Sequence, residues 1–468
     1  MTFKNFGDIP PQVLLLAQTL NDEGYSAYIV GGSVRDILLG KTPKDFDLTT
    51  DAVPSEVTRI FTEAGMRVIP TGEKFGTITV HLDDVDYEIT TYRLESDYSD
   101  ARRPTAVAFS KDLNEDLARR DLTINAIAFD PLTGEIVDPY GGIDDLEKGV
   151  VKAVGRPDER FHEDALRLMR AVRFATRFGF EMDEDTKKAI SRNADRLRYV
   201  SAERIKKELD GILLSNKPSV GIQLLHDTGL LKIVLPEVDI LTTTPQASPW
   251  HHKDAFGHTL DVVDNAPARL DVRWATLLHD IGKEKARVRD ETGRDRFIGH
   301  DKISAELAEP LLRRLKFENS AIKKIVKLIF LHQAEPVKRN KMKHFIRHLG
   351  IENLEDWKAM RLADITAHKP EKVEHGMQIH TDRVKTLDDI LAKNEPYDIK
   401  HLAINGTELQ DAGIPKGPIV GKVLKGLLDL VVQSPEKNNK EFLKRWAINN
   451  WKRLEKEINK VNEVQVNT

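Results

Sequence analysis

The chain reads as an α+β protein: an N-terminal region built on a mixed sheet, followed by a long helical remainder. Short β-rich runs at 25–30, 46–49, 77–81, 86–92 and 126–130 are broken by Gly, Asp and Pro, as strands of a sheet flanked by helices would be. After Asp138-Pro-Tyr-Gly-Gly142 the apolar period lengthens to that of helices and stays so. The 468 residues suffice for about three domains.

Taken in order, residues 10–24 have helical spacing, and the strand at 25–30 runs into two glycines. A helix with Arg35 and Asp36 in its first turn follows. Beyond 143, helices are predicted over 164–178, 185–197, 202–214, 220–228 and 321–331. Thr244-Pro-Gln-Ala-Ser-Pro249 reads as a linker. Asn394-Glu-Pro-Tyr-Asp-Ile399 opens a last segment, and the polar tail from Asn459 is expected to fray. The expected domains are 1–142, 143–243, 250–370 and 371–468, and no internal repeat is evident.

Composition narrows the function classes. With no cysteine, disulfides, thiol catalysis and cysteine-ligated zinc are excluded, which fits a reducing cytoplasm. The N-terminus lacks the pattern of a secretory signal. No apolar run approaches the ~20 residues of a membrane span. The net charge of −4 does not mark a nucleic-acid-binding protein, but such binding needs only a local basic surface. Arg167, Arg170, Arg173 and Arg177 recur along one helix, and Lys206-Lys207, Lys338-Arg-Asn-Lys-Met-Lys343, Lys444-Arg445 and Lys452-Arg453 form other basic runs. Most such runs are solvated faces.

The most informative segment is Tyr28-Ile-Val-Gly-Gly-Ser-Val-Arg-Asp36 followed by Asp45-Phe-Asp47. Residues i and i+2 of a strand share a face, so Asp45 and Asp47 should project together, with Phe46 turned into a core. Two convergent carboxylates make a hard oxygen site suited to Mg²⁺. Gly31 and Gly32 let backbone N–H groups approach a phosphate, and a helix N-terminus stabilises its charge. Either feature alone is usually an ordinary turn or surface; the pair in this order is much rarer.

This G-G-S-x-R-D then D-x-D arrangement resembles the head of the class II tRNA nucleotidyltransferases and bacterial poly(A) polymerases, within the DNA polymerase β superfamily. Arg119-Arg-Asp-Leu-Thr-Ile-Asn-Ala126 is similar to that family's sugar-handling segment, and Asp138-Pro-Tyr-Gly-Gly142 to its hinge between head and neck. Glu163-Asp-Ala-Leu-Arg167 resembles its base-reading element, and Ser201-Ala-Glu-Arg-Ile-Lys-Lys-Glu208 its last neck motif. The resemblance covers residues 25 to about 210 and implies a polymerase-β-like nucleotidyltransferase head, then a helical neck, body and tail.

It further implies that Asp45 and Asp47 hold two Mg²⁺ ions, with Glu88 as a third carboxylate or else a solvated strand residue. Gly31, Gly32, Ser33 and Arg35 would meet the triphosphate, and Arg120, Asp121 and Asn125 the sugar and phosphates. Asp164 and Arg167, three apart on a helix, would present acceptors and donors matching the edges of C and A but not of U and G. Arg170 and Arg173 continue that side. The implied reaction is template-independent addition of CCA to tRNA from CTP and ATP. A-only addition and poly(A) synthesis share these motifs and stay open. The stretch from Arg93 to residue 109 reads as a mobile loop, and it resembles the full-length form found in enzymes able to add the terminal A.

A second pattern lies in 250–370. His258, His279-Asp280 in Leu277-Leu-His-Asp-Ile-Gly-Lys283, His300 and His332 resemble the HD-domain phosphohydrolases. That likeness implies a second divalent metal on His258, His279, Asp280 and a later aspartate, here Asp364; imidazole with carboxylate suits Mn, Ni, Fe or Zn. A metal phosphohydrolase with a nucleotide-sensing head is therefore a further alternative.

Overall fold

The computed structural model describes residues 9–95, 107–247 and 253–466. The chain divides into two compact units. The first takes in the chain up to Thr244, with Ala268–Arg273 and Pro310–Glu318; the second takes in Pro245–Pro267, Trp274–Glu309 and Asn319–Thr468. The residues expected as head and as neck thus fall within one unit.

In the first unit, helix Pro11–Asp22 buries Val13, Leu16, Ala17 and Leu20, one apolar stripe at helical spacing. The strands are β1 (Ala27–Val30), β2 (Asp47–Thr50), β3 (Arg67–Gly72), β4 (Thr77–Leu82), β5 (Val85–Thr91), β6 (Arg93–Glu95), β7 (Val107–Phe109), β8 (Ala128–Phe129) and β9 (Ile136–Val137). Seven form one sheet in the order β3-β4-β5-β2-β1-β8-β9. It is mixed: β2 and β5 run parallel, while β1 is antiparallel to both neighbours. Among the strands that sequence patterning missed is β3, which contains Pro70; it lies at the sheet edge, where a missing N–H is tolerated. β6 and β7 pair antiparallel at the two ends of the expected loop, whose residues 96–106 lie outside the described ones.

One register positions the chemistry. Val30, the last residue of β1, pairs with Asp47, the first of β2. Beyond Val30 the chain turns at Gly31, whose φ of 74° lies in the left-handed region that favours glycine. Asp45 therefore has no partner on β1 and precedes the strand, contrary to the expectation that it would share the strand with Asp47. Phe46 is half-buried and lines a surface pocket with Ile37 and Tyr87 instead of entering a core.

Helix Leu166–Phe178 begins later than the expected 164. Helix Pro157–Glu163 ends first, and Asp164 is extended, with φ −137°. Its Oδ1 accepts the backbone N–H of Leu166 at 3.0 Å, a local bond that competes with helix continuation. Asp164 and Arg167 are thus not two positions on one continuous helix face. Leu166–Phe178 packs on helix Ala202–Leu213. A Cβ at Gly211 would lie 2.4 Å from Cδ of Arg173, so glycine there lets the arginine cross closely. The helix expected over 185–197 is Glu184–Asn193 followed by the 3-10 turn Ala194–Tyr199.

The second unit is almost wholly helical. Helix Ala255–Asn265 packs on helix Leu354–Thr366. Toward the C-terminus, Ile404, Leu409, Val423, Leu427, Val431, Leu443 and Ala447 share a buried cluster. The last helix, Lys440–Val466, continues past Asn459, where fraying was expected. Among the described residues, no helix is long and apolar enough to cross a membrane.

Candidate active site

The β1–β2 register sets Asp47 beside the Gly31 turn. The parallel pairing Leu48↔Ile89, followed one residue back, sets Glu88 beside Asp47. Asp47 keeps an exposed face, yet surrounding protein pushes its carboxyl up to about 6. Burial is the main cause, the charges of Asp45 and Glu88 add to it, and Arg120 opposes. Among the described residues, the ligating atoms of Asp45, Asp47 and Glu88 do not all converge within 4.8 Å.

Next to Asp47 opens a cleft of about 490 Å³, lined mainly by cations. Gly31, Gly32, Arg35, Arg120, Asp121, Asn125, Asp164, Arg167, Arg170 and Arg173 all line it. Ser33, Asp45 and Glu88 do not. The Ser33 hydroxyl is buried and donates to the Val30 carbonyl at 3.2 Å, while Asp45 lines the adjoining pocket with Phe46 and Lys41. Arg93, Arg119, Phe174 and Arg204 also line the cleft and were not singled out as site residues from sequence. Phe174 had a readable signal. It stands four residues from Phe178 within the arginine stripe, and the two rings stack at 5.8 Å. The guanidinium of Arg173 lies 4.3 Å from the Phe174 ring centre, that of Arg170 5.5 Å and that of Arg35 5.1 Å.

Internal partners hold these arginines in place. Arg35 pairs with Asp36 at 2.7 Å and donates to Asn125. Arg170 Nε donates to Asp121 at 2.6 Å, and Arg173 bonds Glu208. Burial pushes the Asp121 carboxyl up, but Arg170 and Asn125 outweigh it and hold it at about 2. Asp164 accepts from Arg204 at 2.6 Å. Arg167 pairs with Glu163 and donates to the Arg119 carbonyl at 2.7 Å. Asp164 and Arg167 therefore line one cleft, each oriented by other residues.

In the second unit, His258, His279, Asp280 and Asp364 come together, with His300 and His332 beside them. His258 Nε2 lies 3.2 Å from Asp364 Oδ1, and His279 Nε2 3.1 Å from Asp280 Oδ2. All six are buried. The Nδ1 atoms of His279, His300 and His332 sit 2.7, 2.7 and 2.6 Å from the carbonyls of Thr276, Phe297 and Ile329. Lys283 pairs with Asp280 at 2.6 Å and Arg361 with Asp364 at 2.8 Å. Burial pushes the Asp280 carboxyl up, yet His279 and Lys283 hold it well below the ordinary range.

Three family models match the chain: the poly A polymerase head domain over residues 27–152, the probable RNA and SrmB-binding site of polymerase A over 179–241, and a putative tRNA nucleotidyltransferase domain 2 over 297–447. The CCA-adding enzyme of Ligilactobacillus salivarius is 34% identical over 447 residues, covering 95% of this chain and 97% of its own. Among solved structures, the Bacillus stearothermophilus CCA-adding enzyme in complex with CTP aligns with a TM-score of 0.72 at 28% identity, covering 96% of this chain and 100% of its own. The Thermotoga maritima CCA-adding enzyme complexed with tRNA shares the fold, with a TM-score of 0.59 at 20% identity over 94% of this chain and 96% of its own. The CCA-adding enzyme of Geobacillus thermodenitrificans is 34% identical over 453 residues, 96% of this chain and 99% of that one, and a match of that extent makes this chain a member of the CCA-adding enzyme family.

Proposed function

We propose that this enzyme adds C, C and A in turn to the 3′ end of immature tRNA, using CTP and ATP and releasing pyrophosphate, without a nucleic acid template. The observation that carries this reading is the β1–β2 register: it brings a carboxylate with a raised pKa against a glycine turn at the mouth of an arginine-lined cleft.

Membership in a nucleotidyltransferase family implies a divalent metal. We assign it as two Mg²⁺ ions on Asp45 and Asp47, with Glu88 as a third acid. The donors are all carboxylate oxygens, and burial, with the charges of Asp45 and Glu88 adding to it, raises Asp47, so a hard dication fits them. When bound, one ion would lower the pKa of the RNA 3′-hydroxyl and the other would stabilise charge on the leaving pyrophosphate. The protein's own part is to position. Gly31 and Gly32 admit the triphosphate closely, and Arg35, Arg120, Arg170 and Arg173 match its charge and fix its orientation. Asp121 and Asn125 hold Arg170 and Arg35, and we assign them to the sugar. Asp164 accepts from the exocyclic amine of C or A, and Arg167 donates to the adjacent ring acceptor. To do so, Arg167 must exchange one of its bonds to Glu163 or Arg119. The sugar-binding and base-reading roles rest on the motif resemblance together with the shared cleft.

In this reading residues 1–142 form the catalytic head, 143–243 the base-reading neck, 250–370 an HD-type helical body with a second divalent metal on His258, His279, Asp280 and Asp364, and 371–468 the tail. The body would grip the tRNA by shape and phosphate, in the cytoplasm.

The test supplies tRNA ending before CCA with Mg²⁺ and labelled CTP, ATP or both, and in parallel tRNA ending in CC. Ordered C, C, A on the first substrate is expected. A alone, only on the second substrate, would mean an A-adding enzyme, and long A tails on any RNA a poly(A) polymerase.

A further inference from the structure

Several basic side chains gather on two aromatic rings that the reading above leaves without a role. Phe174 and Phe178 stand four apart on helix Leu166–Phe178, and their rings stack at 12° with 5.8 Å between centres. Against Phe174 lie the guanidinium groups of Arg35, Arg170 and Arg173. Against Phe178 lie Arg177 at 5.3 Å, Lys41 at 5.0 Å and, again at 5.0 Å, Arg35. Arg35 comes from another helix, Gly32–Leu38, and touches both rings. Because that helix starts at the Gly31 turn, the rings tie the arginines of Leu166–Phe178 to the turn itself.

Phe174 lines the cleft but is only 5% exposed, so its ring is no open platform for a base. What it touches is charge. Arg170 and Arg173 are each held by a carboxylate at one atom: Nε of Arg170 donates to Asp121 and Nε of Arg173 to Glu208. Among the described residues, no protein acceptor takes the Nη groups of either arginine. A carboxylate neutralises the arginine it holds. A ring attracts the cation through its quadrupole, uses none of its N–H donors and leaves its charge whole. The stem of Arg173 is confined as well, since a Cβ at Gly211 would lie 2.4 Å from its Cδ.

We propose that Phe174, backed by Phe178, is a positioning residue for the triphosphate: its ring fixes Arg35, Arg170 and Arg173 relative to one another and leaves the Nη groups of the last two for phosphate oxygens. This deepens the nucleotide-binding reading given above and rests on it. Like charges crowded into one cleft repel, and without a shared anchor their long side chains spread toward water. Filling the cleft with further carboxylates would hold them but cancel the charge that the triphosphate needs. The aromatic ring avoids that conflict, and the N–H groups it leaves over are those that meet phosphate oxygens in pairs. Phe178 adds a second ring behind the first, anchoring Arg35 from the same stack.

The test places phenylalanine carrying one, two or three ring fluorines at position 174 of the full-length chain, with F174L alongside. Fluorine withdraws charge from the ring face with little change of size. Binding of ATP, CTP and inorganic triphosphate with Mg²⁺ is read by isothermal titration calorimetry, and addition of A to tRNA ending in CC is followed in parallel. Kd for all three ligands should climb stepwise with fluorine, by about tenfold across the series, and KM for ATP should climb with it. KM for tRNA and the thermal midpoint should stay unchanged. A flat series would overturn the proposal, and CCA addition by the same proteins would leave the function standing. Weaker ATP and CTP with unchanged inorganic triphosphate would make the ring a base platform and overturn the assignment to phosphate. A rise in KM for tRNA alone would give these arginines to the RNA and overturn it too. A stepwise loss of binding in a chain that adds no nucleotide to any tRNA would uphold the positioning role and overturn the function. The fluorinated series decides the matter even if F174L fails to fold.

Discussion

The carboxylates of the head and those of the helical body are built to opposite plans. Asp45, Asp47 and Glu88 are exposed, have no imidazole among them, and do not close to within 4.8 Å as a triad. Asp280 and Asp364 are buried and surrounded by imidazoles, three of which are oriented by backbone carbonyls. The open group suits a cation that arrives with a nucleotide, because Mg²⁺ keeps most of its shell as water and phosphate oxygens. The closed group suits a resident ion held without substrate. An RNA end and a triphosphate must both reach the first.

The comparison breaks most sharply at Asp47. D47N should lower nucleotide addition by about 10³-fold or more, since it removes metal charge stabilisation from the transition state. It should leave metal bound in the body unchanged, as metal analysis of the purified variant will show. Loss of both together would mean that the two sites are not independent. Next in size is base choice. R167A should reduce discrimination between CTP and UTP by about 10- to 100-fold, the cost of leaving a recognition edge unpaired. R204A should do so less, because it only releases Asp164 from its 2.6 Å partner. Competition assays with mixed nucleotides measure both.

Legibility from sequence differed between the regions for physical reasons. The sheet strands β1, β2, β4 and β5 announced themselves by alternation, and their pairing carries the Asp47–Gly31 juxtaposition. The D-x-D argument rested on a single strand. Face-sharing along one strand was the argument, yet Asp45 precedes the strand, and it is Glu88 that stands on the neighbouring strand beside Asp47. Asp164 was invisible as a helix breaker because its bond to the Leu166 N–H is a local competition that periodicity does not register. Arg204 and Arg93 reach the cleft through tertiary packing that no spacing predicts. In the body, histidines and aspartates scattered from 258 to 364 could be singled out as residues, but the two-sided placement of Asp280 between them exists only in three dimensions.

The head can be titrated against itself at limiting Mg²⁺. Because protons compete with metal at Asp47, apparent Mg²⁺ affinity in the addition assay should fall about tenfold per pH unit below about 6. D47N should show no such metal-linked slope in whatever activity remains.

The smallest effect separates two aspartates of the same unit. Asp121 is held at about 2 because Arg170 and Asn125 supply, from inside the protein, the charge and hydrogen bonds that Asp47 lacks. Its folded pKa lies below the ordinary 3.8, so its contribution is fully present above about pH 4 and is lost as pH falls toward 2. A depression of nearly two units corresponds to about 2 kcal/mol. D121N should therefore destabilise the metal-free enzyme by about that amount at neutral pH and by little at pH 2, read as denaturation midpoints at the two pH values. Asp47 has the opposite sign. Its folded pKa is raised, so its ionised form costs stability above about 6, and D47N should raise the metal-free midpoint at neutral pH and leave it unchanged below about 4. If both variants moved the midpoint the same way, the division between a carboxylate satisfied from within and one awaiting an outside cation would fail, and with it the assignment of Asp47 as a metal ligand.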